Sequence, residues 1–167
     1  GKTAEVASNW RFQTMNRDRK NAGFTLVELL IVVIILGILA AVVIPQFNTA
    51  AAESKEAAVA SNLATIRQAI ELYKVQHNDT FPTAAIVNEL TSATDVDGTI
   101  NAAGKYGPYL RNSFPKNPID ASAAVTTGAT MPAAASGAGG WIYSTGNGEF
   151  RANVAGAGPS AVNYFDL

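Results

Sequence analysis

The chain has 167 residues, a formal net charge of −1 and no cysteine. This length leaves room for one modest domain beside an apolar segment, and the charge gives no electrostatic case for nucleic acid as a partner. The lack of cysteine excludes disulfides, thiolate metal sites and cysteine nucleophiles.

A short basic stretch precedes the apolar segment. From Met15 the sequence reads MNRDRKNAG, in which three basic residues stand against a single acid. Such a stretch holds the amino end of a membrane protein on the cytoplasmic side while the apolar segment inserts. We therefore expect Met15 to be the true start, with residues 1–14 having no role in the mature protein.

The apolar segment covers residues 24–47 and contains one carboxylate, Glu28. A membrane-spanning helix needs about 20 apolar residues, and an acid near its start costs less than one at the bilayer centre. On this interpretation Glu28 is a tolerated interfacial acid. A second interpretation is a removable secretory signal that is cleaved near residues 50–52 (AAA).

A third interpretation accounts for more of the residues. The stretch GFTLVELLIVVIILGILAAVVIPQF, residues 23–47, resembles the cleavage and assembly segment of type IV pilins and of the pseudopilins of type II secretion. In that family a leader is cut after a glycine, which is Gly23 here. The next residue, here Phe24, is then N-methylated, and the fifth mature residue is a glutamate, here Glu28. The resemblance implies that Glu28 serves assembly.

The physical argument for Glu28 agrees with the resemblance. Cleavage before Phe24 creates a cationic amine at the start of the helix, and a buried carboxylate needs such a partner. In the family, the glutamate is thought to meet the amino terminus of a neighbouring subunit. Within one chain, Phe24 and Glu28 are also one helical turn apart, so an intramolecular pair stays open.

Small residues and a proline interrupt the apolar segment at positions that the family shares. Gly37 and Ala41 form a small-xxx-small pair, which lets a neighbouring helix approach closely. Pro45 removes a backbone donor, so we expect the helix to bend or open locally there. The resemblance implies that the stretch between Gly37 and Pro45 loosens within assembled filaments.

Beyond residue 47 the pattern becomes one-sided, which predicts an amphipathic continuation of the helix over residues 48–77. Asn78, Asp79 and Pro82 favour its end there. The apolar face recurs at spacings of four and three and comprises Val59, Leu63, Ile66, Ile70 and Tyr73.

The remaining residues, 78–167, predict a small head. Residues 83–90 predict a short helix with Ile86 and Leu90 facing inward. Residues 121–140 include 12 Ala or Gly among 20 and predict a mobile surface loop with little core to offer. Further expected core anchors are Tyr109, Leu110, Phe114, Ile119, Tyr164 and Phe165.

The sequence WIYSTGNGEFRANV predicts a β-hairpin with a two-residue turn at Asn147 and Gly148. That turn places Tyr143 opposite Ala152 and Trp141 opposite Val154. One face of the hairpin is then apolar and packs on the helix. The other face carries Glu149, Arg151 and Asn153.

Residues for catalysis or metal binding are scarce. His77, the single histidine, is expected to be a surface or helix-capping residue. Residues 95–98 (DVDG) are similar to the opening of a calcium loop, but the further acids of an EF-hand are missing. Some major pseudopilins bind calcium, so calcium stays as the alternative to the expectation of no cofactor. No pattern indicates an enzyme.

These observations predict an α+β fold in which a small antiparallel sheet packs on the upper half of a long amino-terminal helix. The expected organisation is a leader over residues 1–23, a membrane and assembly helix over 24–47, its amphipathic continuation over 48–77 and the head over 78–167. The amino terminus is expected in the cytoplasm before cleavage. The head is expected to be periplasmic or extracellular.

The resemblance implies a structural subunit of a helical filament, most like the major pseudopilin of a type II secretion system. Its implied partners are further copies of itself, prepilin peptidase, an inner-membrane assembly platform and, before assembly, membrane lipid. The first alternative is the major pilin of a type IV surface pilus. The second is an exported binding module, membrane-anchored or signal-cleaved, for which Glu28 is dispensable.

Overall fold

The computed structural model describes residues 23–167, so the predicted leader and Met15 lie outside the described residues. Helix α1 spans Leu26–Gln76 and helix α2 spans Ile86–Thr91. Three strands follow, and a single 3₁₀ turn, Tyr164–Asp166, ends the fold. The strands are β1, Val125–Gly128; β2, Trp141–Ser144; and β3, Phe150–Ala152. By its internal contacts the chain divides into two compact units between Ala41 and Val42.

The first unit contains the amino-terminal part of α1. All its described side chains are exposed, and the large apolar ones between Phe24 and Leu39 keep half or more of their surface accessible. By length and composition, α1 qualifies as a membrane-spanning helix. The predicted long apolar helix is therefore confirmed.

The second unit is built around one face of α1. The five predicted apolar residues, from Val59 to Tyr73, are all 2% exposed or less, which confirms the predicted face. Asn78 and Asp79 end the helix in the left-handed region, with φ of 54° and 63°. Asn and Asp tolerate that region better than other residues with a Cβ.

The sheet packs on this helix face, as predicted. Its core side chains are Trp141, Tyr143, Phe150 and Ala152, all 1% exposed or less. Ile86 and Leu90 of α2 are fully buried, and the 3₁₀ turn closes the core. Of the other expected anchors, Leu110, Phe114, Tyr164 and Phe165 are buried, while Tyr109 and Ile119 pack against the core from its edge.

The prediction of a wholly antiparallel sheet is wrong, because the sheet is mixed. Strand order is β1-β2-β3, with β1 parallel to β2 and β2 antiparallel to β3. Strand β1 lies inside residues 121–140, which were expected to form a loop throughout. Its sequence VTTG is rich in β-branched residues, which favour strands. Residues 129–140 supply the dozen residues that a parallel connection requires.

The predicted hairpin exists, but its register differs by two residues. Trp141 pairs with Ala152 and Tyr143 pairs with Phe150. The turn is longer than two residues because Ser144 N–H donates to the Glu149 carbonyl at 2.9 Å, which leaves residues 145–148 as the loop. Since a shift of two preserves the alternation of faces, the apolar face is still the one predicted.

Asn153 was expected on the solvent face but is fully buried. Residues 121–140 cover that face, and the Asn153 side chain binds them. Its Oδ1 accepts from the Ser136 N–H (2.8 Å) and hydroxyl (3.0 Å), while its Nδ2 donates to Ser136 Oγ (2.8 Å), Thr126 Oγ1 (3.4 Å) and the Gly139 carbonyl (3.4 Å). A buried amide of this kind holds the Ala/Gly-rich segment on the sheet.

Replacing this side chain should destabilise the head. Asn153→Ala is expected to lower the free energy of unfolding by about 2–3 kcal/mol, because it leaves buried donors and acceptors unpaired. Asn112→Ala is the matched control on the exposed surface, with an expected change within about 0.5 kcal/mol. Urea unfolding of both full-length variants in detergent measures the difference. Equal midpoints would show that Asn153 does not hold the segment.

Candidate assembly site

The carboxylate of Glu28 lies at the start of α1 and is bound by Thr25. Glu28 Oε2 accepts from the Thr25 backbone N–H and from the Thr25 hydroxyl, both at 2.8 Å. In return, Thr25 Oγ1 accepts from the Glu28 N–H at 3.2 Å. This reciprocal arrangement is a capping box, which satisfies donors that the first turn of a helix leaves unpaired.

Among the described residues, the hydrogen-bond partner of the Glu28 carboxylate is Thr25. Thr25 occupies one oxygen, Oε2, whereas Oε1 accepts no hydrogen bond from the described residues. Phe24, the other intramolecular candidate, is 81% exposed and carries an amide rather than an amine while Gly23 is attached. The capping box therefore holds the carboxylate in place, and Oε1 stays without a donor among residues 23–167.

The sequence pattern contained the signal for Thr25, which was missed. Thr at the position before the helix followed three residues later by Glu is the T-x-x-E pattern of a capping box. Glu28 was interpreted as an interfacial acid or as an ion-pair partner, so its role in capping the helix was overlooked. Thr25 joins Glu28 as a residue of the site.

The three residues expected to serve helix packing and flexibility, Gly37, Ala41 and Pro45, lie along α1 and do not gather around Glu28. A Cβ added at Gly37 would meet nothing within 4 Å, and Ala41 is exposed, so both leave room for a neighbouring helix. Helix α1 continues through Pro45 without a break, and the Thr49 hydroxyl donates to the Pro45 carbonyl at 3.2 Å. In this single chain the helix is thus not opened at Pro45. Its loosening in filaments stays a prediction, as do the roles of Gly37 and Ala41.

Residues 95–98 form a turn in which the carboxylates of Asp95 and Asp97 accept hydrogen bonds from nearby residues. Gly98 N–H donates to the Asp95 carbonyl, and the Asp95 carboxylate accepts from Asn101 Nδ2 at 2.8 Å. Asp97 Oδ1 accepts from the Thr99 N–H at 3.0 Å, and this backbone hydrogen bond lowers the pKa of Asp97. Among residues 23–167, no three His, Asp or Glu side chains cluster where they could hold a metal ion. Calcium binding stays untested.

His77 was expected to be a surface or helix-capping residue. It is buried, at 2% exposure, so the first of these alternatives is wrong. Its ring stacks on Tyr73 with centroids 3.7 Å apart. Nδ1 lies 2.7 Å from the Tyr73 carbonyl and Nε2 lies 3.0 Å from Thr94 Oγ1. The imidazole therefore joins the end of α1 to the loop around Thr94. It can be buried because its ring packs on Tyr73 and each of its two nitrogens has a hydrogen-bond partner.

The same aromatic cluster predicts a loss of stability at alkaline pH. Burial raises the pKa of Tyr73 to about 12, against about 10 for an unfolded tyrosine. The folded state favours the neutral phenol, so this stabilisation is complete below about pH 10 and is lost between about pH 10 and 12. Urea midpoints across that range should fall less steeply for Tyr73→Phe than for the unaltered chain. Parallel curves would contradict this.

Comparison with known proteins gives a family match for the amino-terminal segment. Residues 18–44 match the family profile described as the prokaryotic N-terminal methylation motif. The resemblance drawn from residues 23–47 is thereby confirmed.

Curated relatives are named for both secretion and pili. The chain is 33% identical to type II secretion system core protein G of Aeromonas hydrophila over 84 residues, which is 47% of this chain and 58% of that protein. It is 39% identical to the same protein of Pseudomonas aeruginosa over 59 residues, 35% of this chain and 42% of that one. It is 53% identical to type IV major fimbrial protein FimA of Dichelobacter nodosus over 49 residues, 29% and 31% of the two chains.

These alignments are partial. The chain spans about half the length of the curated secretion relatives that it matches. No solved structure gives a significant match. The family profile covers residues 18–44, and the alignments with these relatives include between 49 and 84 residues of the chain.

Proposed function

We propose that this chain is a structural subunit of a type IV-type filament, the pseudopilus of a type II secretion system. The observation that carries the proposal is the match of residues 18–44 to the methylation motif, together with a helix whose amino-terminal apolar side chains are exposed on all sides. Its relatives are named for a secretion system and for pili. The function is assembly rather than catalysis.

The exposed apolar part of α1 gives the physical reason for a filament. Large side chains such as Leu29, Ile34 and Ile38 keep half or more of their surface accessible. A continuous apolar surface of this size needs either lipid or other protein to cover it. Membrane lipid covers it before assembly, with the head outside the cytoplasm, and copies of the same helix cover it in the filament.

Processing and assembly then use residues at the start of the helix. Prepilin peptidase would cut between Gly23 and Phe24, both of which are exposed. The new amine of Phe24, once methylated, would keep its positive charge. Glu28 of a neighbouring copy, held in place by Thr25, offers a free carboxylate oxygen to that amine. An inner-membrane assembly platform would deliver the subunit.

The alignments favour a pseudopilus over a surface pilus. The 84 residues aligned with core protein G exceed the 51 residues of α1, so the similarity must extend beyond the helix. The 49 residues aligned with FimA are fewer than the helix contains. A pilus is the second candidate because of the higher identity to FimA over that shorter stretch.

Deleting the gene in the native host distinguishes these functions. We expect secreted enzymes to accumulate in the periplasm while surface pili persist, and the full-length gene to restore secretion. Loss of surface pili with normal secretion would instead favour the pilus. If both secretion and pili were unchanged, an exported binding module would be the better explanation.

A further inference from the structure

The loop between β2 and β3 contains the one Asn-Gly pair of the sequence, Asn147 and Gly148. Asn147 is exposed, and residues 145–148 lie outside the pairing of the two strands. Gly148 has a φ of 73° and lies so close to the Phe81 ring that an added Cβ would clash. Position 148 therefore accepts only glycine, and no side chain there shields the backbone nitrogen that follows Asn147.

The Asn147 side chain is held against the same stretch of backbone. Its Oδ1 accepts from the Glu149 N–H at 3.1 Å, and its Nδ2 donates to Glu149 Oε2 at 3.3 Å. A donor on Oδ1 stabilises the negative charge that develops on that oxygen when a nucleophile adds to the side-chain carbonyl carbon. The Gly148 nitrogen is the nearest backbone nucleophile along the chain. Its N–H donates to the Ser144 carbonyl at 2.9 Å, so attack requires this hydrogen bond to open.

We propose that Asn147 is a self-modification site, at which the chain loses ammonia and gains a negative charge. The Gly148 nitrogen forms a bond to Cγ of Asn147, while the Cγ–Nδ2 bond breaks and Nδ2 leaves as ammonia with the proton of the Gly148 nitrogen. Water then opens the resulting succinimide ring at either of its two carbonyl carbons, which gives aspartate or isoaspartate. Because the attacking nitrogen and the carbonyl carbon belong to adjacent residues, the first step is intramolecular and needs no enzyme.

The new charge falls beside a network of ion pairs that closes the head. Glu149 Oε1 accepts from Arg151 Nε at 2.7 Å, and Arg151 Nη1 lies 3.4 Å from Asp166 Oδ1 in the 3₁₀ turn. The hydrogen bond from Arg151 lowers the pKa of Glu149, so this carboxylate is ionised at neutral pH. A carboxylate at position 147 removes the amide donor to Glu149 and repels the Glu149 carboxylate. Deamidation therefore weakens the contact between β3 and the 3₁₀ turn.

Peptide mapping by mass spectrometry tests the site in the full-length chain in detergent. During incubation at mildly alkaline pH, deamidation at Asn147 should exceed that at Asn112 by about tenfold or more. Asn112 is the internal control because it is also exposed but is followed by Ser, whose side chain hinders the attack. Asn147→Gln should abolish the modification of this loop, since its longer side chain does not close the five-membered ring. Equal rates at Asn147 and Asn112, or a product without isoaspartate, would overturn the proposal.

Urea unfolding tests the consequence for the head. Asn147→Asp, which has the same side chain as the aspartate product, should shift the unfolding midpoint to a lower urea concentration. The matched control Asn112→Asp adds the same charge at an exposed position and should leave the midpoint unchanged. Equal midpoints for the two variants would show that the modification does not weaken the closure of the head. Neither measurement requires a filament, so a negative result here would leave the proposed function intact.

Discussion

Glu28→Ala is expected to insert into the membrane normally and to lose filament assembly. Removing one partner of a buried ion pair costs about 3–5 kcal/mol, which is a more than hundredfold change in an association equilibrium. Insertion should be unaffected because the substitution removes a charge from an apolar segment. Sheared filaments and membrane fractions, compared by immunoblot, measure the two effects separately.

Thr25→Ala is the control that separates the two roles of Glu28. It removes the capping box seen at the start of α1 but keeps the carboxylate. Loss of a helix cap costs about 1 kcal/mol, so its assembly should fall less than about tenfold. If Thr25→Ala abolished filaments as completely as Glu28→Ala, Glu28 would act through its own chain. Normal filaments from Glu28→Ala would contradict the assembly role altogether.

Trp141→Ala is expected to destabilise the head more than Asn153→Ala does. The Trp141 side chain is fully buried between α1 and the sheet, and its ring lies 5.7 Å from that of Phe150. Its Nε1 donates to the Pro115 carbonyl at 2.8 Å. Truncating a buried aromatic side chain to Ala costs about 3–5 kcal/mol. Urea unfolding followed by near-ultraviolet circular dichroism measures the loss.

Trp141→Phe separates packing from hydrogen bonding at this position. It keeps most of the apolar volume but leaves the Pro115 carbonyl without its indole donor. A cost of about 1–3 kcal/mol is expected for the unpaired group. If Phe were as destabilising as Ala, the indole hydrogen bond rather than the core volume would dominate.

The long helix and its buried face were predictable because both follow from local patterns. Uninterrupted apolar residues and a spacing of four and three determine where α1 runs and which side it buries. The methylation motif was recognisable for the same reason, since its residues are contiguous. The α+β class and the inward faces of α2 and the hairpin also followed from periodicity.

The errors arose where tertiary contacts override local composition. The Ala/Gly-rich segment forms β1 because Asn153 and Asn117 bind its backbone, and neither pairing is visible in sequence spacing. The hairpin takes a longer turn, in which Gly148 packs so closely on Phe81 that an added Cβ would clash. His77 is buried because Tyr73 and Thr94 satisfy both its nitrogens, which depends on a distant loop.

The intact mass and amino-terminal sequence of the protein recovered from membranes of its native host test the central claim most directly. The account predicts a chain that begins at Phe24 and carries one added methyl group. Such a chain would place a charged amine where Glu28 of a neighbouring copy can bind it. A chain that begins near Glu53, as an ordinary secretory signal would leave, would contradict the account.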